Sequence, residues 1–209
     1  MRIAFVLLAL LLPCLTAAQE VKRSPLVELV EIDPRIQLDI RYARSDNFLG
    51  FPVYRQARAF LQKEAAEALK CAHDHLRQQG YGLVVFDGYR PWSVTKLMWD
   101  RTPPEKRQYV ADPAKGSRHN RGCAVDLSLV DLETGKPVAM PSEYDDFSEK
   151  AHPDYAGGTE ESRKLRDLLR REMERQGFTV YPYEWWHFDY RGWERYPIRD
   201  TPFEQLDGR

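Results

Sequence analysis

Apolar residues recur along this chain in two rhythms, and the switches between them predict its elements. Ile36, Leu38, Ile40 and Tyr42 alternate with Gln37, Asp39 and Arg41, the pattern of a half-buried strand. Val27 to Ile32 also reads as strand, with Pro34 breaking the chain between the two. Over Arg55 to Gln79 the period lengthens. Leu61, Ala65, Ala68, Ala72 and Leu76 predict the buried stripe of one long helix ended by Gly80. His73 and His75 on that helix face different directions and read as exposed or local polar groups. Tyr81 to Phe86 is a short apolar strand and Ser93 to Asp100 a helix. From Cys123 the two-residue period returns. Ala124, Asp126 and Ser128 share one face; Cys123, Val125, Leu127 and Leu129 share the other. Thr159 caps a helix through Gln176, and aromatic strand material follows at Phe178 to Tyr181 and Trp186 to Tyr190. Residues 45–54, 102–115 and 141–158 read as loops. No regular βαβ rhythm appears. The expectation is an α+β single domain, its mainly antiparallel central sheet flanked by helices.

The first 18 residues stand apart. Arg2 precedes a short apolar run from Ile3 to Leu12, and Thr16-Ala17-Ala18 offers small residues for cleavage. This predicts a secretory signal peptide over 1–18 and a mature domain over 19–209. The run is shorter than the roughly 20 residues a bilayer span needs, and no other stretch could cross a membrane. Such a leader predicts secretion. The chain carries 31 basic and 32 acidic side chains, a balance that gives no electrostatic case for nucleic-acid binding. Without the leader two cysteines remain, Cys71 and Cys123, which are either paired or separate thiols.

The chemistry gathers in two segments. In Ser117-Arg118-His119-Asn120-Arg121-Gly122-Cys123-Ala124-Val125-Asp126 a carboxylate sits inside an apolar run, where burying its charge demands a cation. Near the C-terminus, Glu184-Trp185-Trp186-His187 adds a second imidazole and a second carboxylate. His119, Asp126 and His187 make a ligand set that suits a catalytic zinc with one open position. Glu184 is then free to take a proton from water at that position. His119 and Asp126 are seven apart, so a straight strand would point them to opposite faces. Gly122 is where the chain can bend. Glu184 and His187, three apart in strand-like sequence, require a second bend at Glu184 or Trp185.

Ser117-x-His119-x-x-Gly122-x-Ala124-x-Asp126 with Glu184-x-x-His187 resembles the D-alanyl-D-alanine dipeptidases. These are VanX-like zinc peptidases, in the wider group of D,D-peptidases related to the hedgehog fold. Tyr42-Ala43, Asp46-Asn47-Phe48 and Phe86-Asp87-Gly88-Tyr89-Arg90-Pro91 extend the resemblance over most of the chain, from about residue 27 to 198. It implies one zinc ion per chain, Arg90 stabilising the tetrahedral intermediate, and a small D,D-dipeptide as substrate. It further implies substrate contacts from Ser117, from Tyr42 and from an acidic ammonium anchor at Asp145, with Asp146 one position away. The plainer readings are an Arg90–Asp87 ion pair and a solvated Asp145. Two rival functions stand beside dipeptide hydrolysis. One is D,D-carboxypeptidase or endopeptidase action on peptidoglycan stems; the other is a non-catalytic zinc-stabilised binding domain.

Overall fold

A computed structural model describes residues 26–206. The expected leader over 1–18 lies outside the described residues. Seven strands form among the described residues: β1 (Leu26–Glu28), β2 (Gln37–Leu38), β3 (Phe60–Gln62), β4 (Tyr81–Asp87), β5 (Ala124–Asp131), β6 (Phe178–Tyr181) and β7 (Glu184–Tyr190). Among them run the helices α1 (Leu29–Ile32), α2 (Lys63–Arg77), α3 (Trp92–Arg101) and α4 (Glu160–Arg175). Five strands make the central sheet in the order β2-β4-β5-β7-β6. Only the β2–β4 edge pair is parallel; the other neighbours run antiparallel. The architecture is therefore the α+β domain with a mainly antiparallel sheet that the alternating pattern predicts.

Strand β5 is the middle of the sheet, and its two faces separate as its alternation requires. Cys123, Val125, Leu127 and Leu129 join the main core with Leu69, Ala72 and Leu76 of α2 and Leu165, Leu169 and Met173 of α4. Val130, on the other face, packs with Val84 and Phe86 of β4 and with Tyr144. Apolar burial of this kind contributes roughly 25 cal/mol per Å² removed from water. It also fixes the register, because a one-residue slip of β5 would exchange its faces. Thr159 caps α4 by accepting the Ser162 amide.

Three expectations are corrected. The helix does not begin at Arg55. It begins at Lys63, because Phe60–Gln62 is needed as strand β3, paired with β1 and holding the Tyr89 amide on the Phe60 carbonyl. The stretch 27–32 is not all strand. After Glu28 it closes one helical turn, with the Asp33 amide on the Leu29 carbonyl and Leu29 fully buried. His73 is not exposed; it is buried against Asp33, Nδ1 to Oδ2 2.9 Å. The stretch 36–42 buries Ile36, Ile40 and Tyr42 but leaves Leu38 only partly buried, and its ladder is short and ends in a 3₁₀ turn at Arg41–Ala43. Cys71 and Cys123 are unpaired thiols, the first exposed and the second buried.

Candidate active site

One row across the sheet organises the site. In β4, β5 and β7, Asp87 pairs with Asp126, and Asp126 with His187. Two irregularities aim these residues. The β4–β5 register shifts between Val85 and Asp87. At the other side Val180 pairs with Phe188 while Tyr181 pairs with Glu184, so β7 bulges between Glu184 and His187. Such bulges redirect side chains, and this one turns both Glu184 and His187 toward the site.

His119 arrives from a 3₁₀ turn, His119–Arg121, closed by Gly122 in the left-handed region at φ 67°. A Cβ at Gly122 would run into Leu26 and crowd the Gln62 amide. Two segments distant in sequence brace this turn. The Gln62 amide donates to the Gly122 carbonyl at 2.8 Å, and the Arg199 amide to the Asn120 carbonyl at 2.9 Å.

Three electron-rich atoms converge. His187 Nδ1 lies 3.0 Å from Asp126 Oδ1, His119 Nε2 lies 3.4 Å from that oxygen, and the two nitrogens are 3.1 Å apart. Asp126 Oδ1 is buried without a hydrogen-bond partner. Edges of this length fit donors arranged about 2 Å from a common cation. The remaining polar atom of each side chain is held from behind: His119 Nδ1 by the Gly88 carbonyl at 2.7 Å, His187 Nε2 by Asp189 at 2.9 Å, and Asp126 Oδ2 by the Tyr144 hydroxyl at 2.9 Å. Outer partners of this kind set the ring tautomer and orient metal ligands. The residues therefore fit a divalent cation, and among the described residues they are the group of three that could hold one. Burial opposes ionisation of Asp126, but the two imidazoles overcome it and hold its carboxyl far below the usual range.

Glu184 stays outside the triangle, with Oε2 3.7 Å from His187 Nδ1. Burial, partly offset by His187, pushes its carboxyl up to about 7. Arg90 is buried, and its Nε and Nη2 grip Asp87 Oδ2 at 2.9 and 2.7 Å. The ion pair with Asp87 thus exists, yet the same guanidinium reaches within 4.0 Å of Asp126 and lies over the Tyr42 ring. Ser117 Oγ accepts the His119 amide at 3.2 Å, leaving its own proton to donate. Asp145, not Asp146, turns inward. Its Oδ1 accepts the Tyr42 hydroxyl at 3.1 Å, and its Oδ2 is buried and unpartnered. Burial, reinforced by Asp126 and Glu184, raises the Asp145 carboxyl well above its ordinary range.

Every residue singled out from sequence lines one cavity of about 430 Å³: Tyr42, Arg90, Ser117, His119, Asp126, Asp145, Glu184 and His187. Sequence reasoning missed the outer partners. Asp189 had a readable signal, since a carboxylate two residues after His187 in a strand shares its face. The Gly88 carbonyl and Tyr144 had none.

A family model for the M15 peptidases, described as D-Ala-D-Ala dipeptidase, matches residues 22–204. The D-alanyl-D-alanine dipeptidase of Escherichia coli K12 is 35% identical over 180 residues, covering 86% of this chain and 92% of its own. That of Enterococcus faecium is 37% identical over 196 residues, covering 84% and 92%. Among solved structures, the LD-carboxypeptidase LdcB is similar at 23% identity and a TM-score of 0.41, over 65% of this chain and 61% of its own.

Proposed function

The chain belongs to the D-Ala-D-Ala dipeptidases of the M15 family of zinc peptidases, and on that premise we propose that it hydrolyses free D-Ala-D-Ala to two D-alanines after export from the cytoplasm. The observation that carries this reading is the cavity itself. It places a three-donor cation site, an unligated carboxylate, a buried guanidinium and an unpartnered acid within reach of one small substrate.

His119, Asp126 and His187 would hold the zinc. When bound, zinc supplies Lewis acidity at the scissile carbonyl and lowers the pKa of the attacking water. Glu184 takes the proton from that water and later hands it to the leaving amine. Arg90, locked in orientation by Asp87, donates to the oxygen that becomes negative in the transition state. Asp145 and Tyr42 receive the dipeptide's ammonium group, which supplies the charge that the buried Asp145 lacks. Ser117 donates its free proton to a substrate carbonyl or carboxylate. An anchor for a free ammonium selects dipeptides over longer stems, whose amino end is an amide at that point. No helix among the described residues is long and apolar enough to cross a membrane. The leader expected over 1–18 would direct the protein to a periplasm.

Purified protein incubated with D-Ala-D-Ala, L-Ala-L-Ala and a pentapeptide stem, with and without chelator, tests the reading. Cleavage of the D,D-dipeptide alone, abolished by chelation and restored by zinc, is expected. Cleavage of the pentapeptide alone would make the protein a carboxypeptidase. No cleavage with zinc restored would leave a binding domain.

A further inference from the structure

Tyr144 and Asp145 are chain neighbours, yet both side chains bond residues that line the site. The Tyr144 hydroxyl donates to Asp126 Oδ2 at 2.9 Å, while Asp145 Oδ1 accepts the Tyr42 hydroxyl at 3.1 Å. In extended backbone, successive side chains point to opposite sides. Asp145 departs from that rule with φ 61°, and it is the one non-glycine residue with positive φ among the described residues. Aspartate tolerates this conformation better than most residues, and strain of this kind collects at functional sites.

Tyr144 has little freedom. Its ring is wedged against Phe86, Trp186 and Tyr42, with centroids 4.7, 5.4 and 6.2 Å away. Its hydroxyl is therefore delivered to one place, the outer oxygen of Asp126. The next residue presents a buried, unpartnered oxygen to the cavity.

We infer that Tyr144 is a positioning residue that holds Asp126 in the orientation a cation requires, and that the left-handed backbone at Asp145 ties this grip to capture of the substrate's ammonium group. The inference rests on the functional reading above. One backbone turn then serves both subsites, and whatever amine binding does to cation affinity the cation does equally to amine affinity. Tyr144 does not line the cavity; it acts through Asp126.

Three variants test it: Tyr144→Phe, Asp145→Gly and Asp145→Ala. Zinc affinity is read by competition with a chromophoric chelator, and KM for D-Ala-D-Ala is read at saturating zinc. Tyr144→Phe is expected to weaken zinc about 10–100-fold, the usual cost of losing an outer partner, while KM stays near the wild-type value. Glycine accepts positive φ freely. Asp145→Gly should therefore raise KM and leave zinc affinity intact. Asp145→Ala, which lacks that freedom, should raise KM and weaken zinc together. Wild-type zinc affinity in Tyr144→Phe overturns the inference. So do Gly and Ala variants of equal zinc affinity, a comparison that stands even if Tyr144→Phe fails to fold. Wild-type protein that binds no zinc, or leaves the dipeptide uncut, defeats the functional reading itself and this inference with it.

Discussion

Replacing Arg90 by lysine separates the two things an arginine can do at this position. The guanidinium makes two charge-assisted hydrogen bonds to Asp87 Oδ2, at 2.9 and 2.7 Å. Asp87 is fully buried, and its other donors are the Tyr54 hydroxyl and the Gly88 amide, each at 2.9 Å. Removing the cation altogether would strand a buried carboxylate, at roughly 3–5 kcal/mol. That is a large share of the roughly 5–15 kcal/mol that holds a domain folded, so alanine would report on folding before chemistry. Lysine keeps the charge and one donor. Its cost is one charge-assisted bond, roughly 1.5–3 kcal/mol. For a domain of this size each kcal/mol lowers Tm by about 2–4 °C, so the variant remains folded at 25 °C. If Arg90 only supports Asp87, the folded lysine variant turns over normally. If it donates to the developing oxyanion, kcat falls by roughly 10²–10³, equivalent to about 2.7–4 kcal/mol. KM moves little in that case, because the interaction is made in the transition state. Initial rates of D-alanine release at saturating dipeptide, beside a thermal melt, decide between them. A lysine variant that melts earlier but keeps its kcat would refute the catalytic role.

Glu184→Gln should bind zinc with near-native affinity in equilibrium dialysis while losing a factor of roughly 10²–10⁴ in kcat; near-normal turnover would remove Glu184 from the mechanism. Chelation should lower Tm, and zinc added back at 100 times its Kd should restore about 2.7 kcal/mol; a melt indifferent to chelator argues against a cation at the His119–Asp126–His187 triangle. Acid should loosen the fold in two stages. Burial keeps the His73 imidazole below its ordinary pKa despite Asp33, so the unfolded chain takes that proton first and stability falls as pH drops through about 6.5. Burial opposes ionisation of Asp33, but Arg35 and His73 hold its carboxyl low, so its contribution is complete above about 3.9 and declines below it. Urea midpoints from pH 8 to 3 should show both stages, and a His73→Gln variant that keeps the upper one would assign it elsewhere.

Much of this molecule is legible in its sequence because its signals are local and redundant. The alternation around Asp126 predicts both faces of β5, since a fully buried strand must still divide its side chains between two layers. The ligand-type residues announce themselves by chemistry, a carboxylate in an apolar run and imidazoles near bends. What failed to show depends on partners distant in the chain. Phe60–Gln62 carries a helical pattern into a strand because β1 and the Gly122 carbonyl claim its backbone, and tertiary pairing outranks a local period. His73 is buried because Asp33, from the turn after α1, meets it there. The hold of Tyr144 on Asp126 is equally invisible, since no spacing rule leads from a polar loop to the middle of a sheet.

The turn carrying His119 is clasped by two segments remote from it in sequence, Gln62 at the end of β3 and Arg199. A bulky insertion beside Gln62 or Arg199 therefore tugs on the scaffolding of the pocket. The exposed hairpin tip at residues 132–135 is the safer port of attachment, since it lies at the far end of β5 from that clasp.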